Sequence, residues 1–224
     1  MLHCIHDCRT VILRIKLYDF LEPPALVFSD GAYEETGLEQ GVGFLVAIPR
    51  PNAPARDPAA PPRGAELARH YDFYHGAAEV PDDLRRALLE RRQQIGQVEI
   101  IGAIAPYLSV PALAGRRVLH WIDNQSAAAA LCKGYSGVPD SARLVHMFHA
   151  WAACSRAAVW FEFVPTNQNV SDKPSRDMSL RDRIFRPLPG VCSCPVPVHF
   201  PSFRSLDEPG GWAREARSVV PMSV

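Results

Sequence analysis

Four acidic residues sit where a carboxylate could hold a divalent cation: Asp30 in ALVFSDGAY, Glu99 in QVEIIGAIA, Asp123 in RVLHWIDNQSAAAALCK and Asp172 in NVSDKPSR. Taken singly, each has a plainer reading. An aspartate ahead of a helix is an N-cap, one before a glycine is a turn residue, and a lone glutamate on an apolar helix turns outward to water. Taken together they change meaning. Four carboxylates brought to one place repel one another, and two divalent ions relieve that repulsion. Two-metal sites of this kind drive in-line displacement at phosphodiesters.

The elements that would bring them together can be read from the pattern. Residues 118–122 form a short apolar, β-branched and aromatic run that ends in Asp123, and residues 124–132 are Ala/Leu-rich and helical, which gives strand, Asp, helix. Asp123 then lies at the carboxyl end of a strand, the edge where open α/β sheets bind ligands. Residues 25–29 form a buried strand ended by Asp30, and Gly31 permits close backbone approach. Residues 41–49 (GVGFLVAIP) are the antiparallel partner, and residues 70–75 (HYDFYH) complete a three-stranded meander. The Pro/Ala-rich stretch 50–64 is a loop or insertion.

Pro81, Asp82 and Asp83 start a helix whose later arginines, Arg85, Arg86, Arg91 and Arg92, read as a solvated face, with a grip on a phosphate backbone as the sharper alternative. Residues 94–113 read as a buried helix interrupted at Pro106 and ended by Pro111, with Glu99 as its single acid. Residues 140–155 form an amphipathic helix with Leu144, Val145, Phe148, Trp151 and Ala152 on one face, and with His146 and His149 on its flank. Residues 158–164 are a further strand, followed by the loop carrying Asp172, with Ser171 or Asp172 capping a helix that starts there. The order predicts an α/β fold: a mixed five-stranded sheet, antiparallel meander first and parallel strands after, with helices on both faces.

Composition bounds the rest. At 224 residues and 47% hydrophobic content, the chain buries one substantial core. Its formal charge is zero and its pI is about 7.1, so no global basic field advertises nucleic-acid binding. Six cysteines at no repeating spacing, two of them in expected helices, favour reduced thiols and an intracellular place, cytoplasm or nucleus. No apolar run reaches the roughly 18 residues of a membrane span. His3, Cys4, His6 and Cys8 lack a second ligand pair at zinc-finger spacing. We divide the chain into residues 1–24, a leader or the remnant of a preceding domain, residues 25–176, the folded domain, and residues 177–224, a C-terminal tail containing Pro, Arg and Gly.

Read in order, SDGAY, GVGF, a helical glutamate, WIDNQSA and VPTNQNVSDKPSR resemble the ribonuclease H domain of retroelement reverse transcriptases. Residues 169–176 (NVSDKPSR) are especially similar to the N-x-A-D-x-x-S-R segment of LTR-type and tyrosine-recombinase retrotransposons. The resemblance spans about residues 25–176. It implies a ribonuclease H-like fold and a metal-dependent endonuclease that hydrolyses the RNA strand of RNA/DNA hybrids with two Mg2+ ions, or Mn2+ in their place. It further implies that Asp30 bridges both ions, that Asp172 completes the one activating the attacking water, and that Glu99 and Asp123 hold the one stabilising the leaving 3′ oxygen. Gln125 matches a minor-groove contact, the backbone near Gly31 senses the RNA 2′-hydroxyls, and Asn124 and Asn169 join the substrate-binding set, Asn169 by orienting the final loop. A reverse-transcriptase domain or polyprotein is the implied partner, with no membrane. The chain departs from the family at Thr166, Asn167 and Gln168, where many members carry a histidine, and it has no room between Lys133 and Asp140 for a basic protruding helix. The alternatives are a catalytically silent ribonuclease H-like scaffold and a 3′-5′ exonuclease; the latter places Asp-x-Glu on the first strand, where this chain has Asp30-Gly31-Ala32.

Overall fold

Alternation decides the first strand. In β1 (Ala25–Tyr33) Ala25, Val27 and Ser29 are buried, while Leu26 and Phe28 are half-buried on the other face. β2 (Gln40–Pro49) is buried along its whole length, which fits its place inside the sheet, and it pairs antiparallel with β1 so that Asp30 lies opposite Gly43. β3 (Tyr71–Glu79) continues the meander antiparallel to β2. β4 (Arg117–Ile122) returns parallel to β1, and β5 (Ala158–Phe163) parallel to β4. A computed structural model describes residues 23–33, 40–51, 69–89, 94–176 and 193–202. The His/Cys cluster near the amino terminus, most of the Pro/Ala-rich loop, Arg91, Arg92 and most of the expected tail lie outside those residues.

Among the described residues the sheet has six strands in the order β5-β4-β1-β2-β3-β6, where five were expected. The sixth, β6 (Ser193–Pro195), pairs parallel with β3. It is three residues long and ends in Pro195, so neither alternation nor β-propensity marks it. Its anchors are specific: Ser193 Oγ meets His75 Nδ1, and the Val196 amide donates to the His75 carbonyl at 2.9 Å. Val196, Val198 and Phe200 pack against the core, and the His199 amide donates to Ser109 Oγ at 2.9 Å. This part of the expected tail therefore belongs to the folded body. β3 also runs to Glu79 rather than ending at His75, because Gly76 leaves room that the Phe44 ring occupies.

Among the described residues the α-helices are α1 (Asp82–Ala87), α2 (Ile95–Ser109), α3 (Gln125–Lys133), α4 (Pro139–Ser155) and α5 (Asp172–Arg176). α2 is buried from Gln97 to Ser109, which is why it is apolar all round and shows no amphipathic stripe. Pro106 is tolerated within it near the carboxyl end, where its carbonyl accepts from the Val110 amide at 2.9 Å. α3 is capped by Asn124 Oδ1, which accepts from the Ala127 amide at 3.0 Å, and is closed by Gly134 at φ 70°.

α2 lies against β1 almost backbone to backbone. A Cβ on Gly31 would stand 2.4 Å from the Val98 carbonyl oxygen, and one on Gly102 2.7 Å from that of Asp30. Gly43 makes the matching approach on the opposite face, where a Cβ would stand 2.8 Å from the Ser175 nitrogen of α5. Helices therefore occupy both faces, as expected of a ribonuclease H-like sheet. Between β4 and the helices lies an aromatic core of Tyr107, Phe148, Trp151 and Phe161. Among the described residues no helix is long and apolar enough to cross a membrane.

Candidate metal centre

β1 and β4 are parallel neighbours, and their pairing stops at Phe28 opposite Trp121. Beyond that point β1 continues into Asp30, while β4 ends at Ile122 and the chain turns through Asp123 into α3. The two aspartates therefore flank the place where the strands part. The loop after β5 is fixed to β1 just before it: Ser171 Oγ donates to the Phe28 carbonyl at 3.1 Å and Asn169 Nδ2 to the Ser29 carbonyl at 3.0 Å.

Glu99 enters from α2. It reaches across the Gly31 contact, and its Oε2 accepts from the Gly31 amide at 3.3 Å. Asp30, Glu99 and Asp123 each offer a carboxylate oxygen, and these oxygens lie within 4.8 Å of one another. Three elements distant in sequence thus supply one acidic centre. Asp172 stands beside it at the start of α5, outside that set of three, with Oδ1 2.9 Å from Arg176 Nε.

The electrostatics follow from burial. Asp30 is 2% exposed, and desolvation lifts its carboxyl to about 7; a Ser175 hydroxyl donated to Oδ2 works against that rise, and the charges of Asp123 and Asp172 add to it. Burial pushes Glu99 further, to about 9, helped by Asp30 and Asp123 and opposed by the Gly31 amide and the Asn124 side chain. Burial draws the Arg176 guanidinium down, but its bond to Asp172 and the charges of Asp172, Asp30 and Asp123 hold it above its ordinary value. Asp123 Oδ1 is buried with no hydrogen-bond partner among the described residues. An orphaned carboxylate oxygen facing two carboxyls that resist ionisation is what a cation would satisfy, so these residues fit a divalent ion.

The other expected residues take different places. Gln125 is exposed at the first turn of α3, next to the centre. Asn124 is spent on the helix cap and on Glu99. Asn169 is 6% exposed, and both ends of its amide are used within the fold, Nδ2 on Ser29 and Oδ1 on the Ser171 amide at 3.1 Å. Thr166–Gln168 is an exposed 3-10 turn. His149 Nε2 bonds the Leu131 carbonyl at 2.8 Å, which joins α4 to α3.

Three contributors escaped the reading of the sequence. Ser175 and Arg176 contact Asp30 and Asp172, and their signal was available in the spacing, three and four residues after Asp172 on one helical turn. His120 is fully buried between Ser29 Oγ at 2.7 Å and Tyr107 OH at 2.8 Å, and burial drives its pKa down to about 3. It fixes Ser29, the residue before Asp30, from within the core.

No family model matches the chain, and no curated protein matches it. Among solved structures it is similar to the N-terminal ribonuclease H domain of a Mycobacterium tuberculosis protein, determined as a fusion with maltose binding protein, with 14% identity and a TM-score of 0.43 over 72% of this chain and 96% of that one. It is also similar to LC9-RNase H1, described as a type 1 ribonuclease H with the type 2 active-site motif, with 13% identity and a TM-score of 0.46 over 89% of this chain and 87% of that one.

Proposed function

We propose that the chain is a metal-dependent endonuclease that hydrolyses the RNA strand of RNA/DNA hybrids. The observation that carries this reading is the convergence of Asp30, Glu99 and Asp123 at the point where β1 and β4 part. Asp30, Glu99, Asp123 and Asp172 would hold two Mg2+ ions, with Mn2+ able to replace them. When bound, such ions stabilise the charge that develops on the attacking and leaving oxygens of a phosphodiester.

The chain's own residues prepare that chemistry. Ser175 and Gly31 donate hydrogen bonds to Asp30 and Glu99, which fixes the carboxylates before an ion arrives. Gln125, exposed at the first turn of α3, is the residue we assign to the minor groove of the hybrid. Asn169 acts through the loop it holds. The motif NVSDKPSR supports a retroelement origin and a reverse-transcriptase partner.

The test is cleavage of an end-labelled RNA/DNA hybrid, compared with duplex RNA and duplex DNA of the same sequence. Cuts confined to the RNA of the hybrid, leaving 3′-hydroxyl ends, dependent on Mg2+ or Mn2+ and lost in Asp123→Asn, are expected. A chain that binds the cation and cuts none of the three substrates is the silent scaffold instead.

A further inference from the structure

Among the described residues, Asp172 is the one of the four acids that forms an ion pair. Arg176 Nε holds its Oδ1 at 2.9 Å across one turn of α5, with the arginine side chain 52% exposed and the aspartate 22%. The backbone beneath them has little freedom. The Ser175 amide donates to the Ser171 carbonyl at 3.1 Å, the Ser175 hydroxyl sits between the Asp30 carboxylate and the Asp172 carbonyl, and Gly43 lets the helix rest on β2. The side chains at the mouth of the site are what can rearrange. An ion that takes Asp172 must displace Arg176 or share the carboxylate with it.

Resting on the nuclease reading above, we propose that Arg176 is a built-in competitor for the second divalent ion. It neutralises Asp172 and keeps it out of the three-carboxylate centre. The chain therefore takes one ion tightly through Asp30, Glu99 and Asp123, and a second more weakly, at a strength set by the Asp172–Arg176 pair. Because that pair is partly exposed, the competition is modest, about two- to fivefold in affinity. Lysine at the same position would preserve it, since a cation four residues after an aspartate still reaches it on a helix.

The experiment is a Mn2+ titration of the full chain, followed by the paramagnetic resonance of the free ion. Wild type is expected to take one tight equivalent and one weaker one. Arg176→Gln should tighten the second by about two- to fivefold, Arg176→Lys should keep the wild-type value, and Asp172→Asn should lose the second equivalent and retain the first. An unchanged or weaker second ion in Arg176→Gln, a lysine variant that behaves like the glutamine one, or a second equivalent surviving in Asp172→Asn overturns the proposal. Failure of the nuclease reading looks different: hybrid cleavage is then absent whatever the ion titration gives, and loss of the metal centre itself shows as no tight equivalent in wild type or one that survives in Asp123→Asn.

Discussion

The metal-free chain should lose stability as the solution becomes alkaline, and a divalent cation should give it back. Asp30 is held at about 7 against 3.8 for the ordinary carboxyl, and Glu99 at about 9 against 4.5. Both folded values are raised, so between the two limits the folded state keeps protons that the unfolded state has released, and stability falls with rising pH. From pH 6.5 upward the unfolded imidazole of His120 loses its remaining protons, a small opposing effect of about 0.4 kcal/mol that is spent by about pH 7.5. Between pH 6.5 and pH 9, Asp30 contributes over about half a pH unit and Glu99 over about 2.5, which at about 1.4 kcal/mol per unit gives about 4 kcal/mol. Asp30 is one of the charges that raise Glu99, and the sum is a large part of a typical domain's stability. At about 2–4 °C per kcal/mol it corresponds to a fall of roughly 8–16 °C in melting temperature. The assay is thermal unfolding at pH 6.5, 7 and 9 with chelator and with excess Mg2+ or Mn2+. Stabilisation by the cation should grow with pH, and Glu99→Gln should flatten the chelator curve. A melting temperature indifferent to pH in chelator, or a cation effect of the same size throughout, would refute the reasoning.

Three further outcomes are expected. Asp30→Asn, Asp123→Asn and Asp172→Asn should each reduce hybrid cleavage by at least about a hundredfold while leaving the fold intact or more stable, because each removes a repelling charge and an ion ligand together; gel assays with melting curves check this, and near-normal cleavage in any of the three would contradict it. Ending the chain after Leu188 should lower stability by about 2–4 kcal/mol, since it strips Val196, Val198 and Phe200 from the core and β6 from the sheet; a denaturant titration with an unchanged midpoint would show that these contacts count for little. With 24 basic against 24 acidic residues, the isolated chain should bind hybrids weakly at near-physiological salt and gain affinity when fused to a basic module; tight binding that the fusion leaves unchanged would locate a sufficient patch on the chain itself.

What the sequence disclosed was whatever has a period or a sharp boundary. The run Arg117–Ile122 before Asp123 and the Ala-rich helix after it are a change of period at one residue, and the structure puts that residue where strand becomes helix turn. The meander was legible for the same reason. β6 was not, because three residues ending in a proline are held by the outer edge of β3 and not by any preference of their own. The Gly-Ala-Ala end of β3 hid likewise, since it is kept extended by Phe44 packing over Gly76. Glu99 could be named but not placed: on a helix buried all round, periodicity does not say which way a side chain points. Asn169 could be named as a loop residue, but its bonds to the Ser29 carbonyl and the Ser171 amide, 140 and two residues away in sequence, could not be read from spacing.

The contact of Gly31 with Val98 and of Gly102 with Asp30 has a consequence for how this protein can vary. The spacing between Asp30 and Glu99 is set by main chain resting on main chain, with no side chain acting as a spacer between the strand and the helix. Exchanging one aliphatic residue for another farther along α2, at Ile101 or Ile104 for instance, would alter volume elsewhere and leave that gauge unchanged. Sequence drift can then run through most of the interior without detuning the centre, whereas a single methyl group at either glycine forces the helix off the strand. An engineer seeking a different ion radius would begin at that joint.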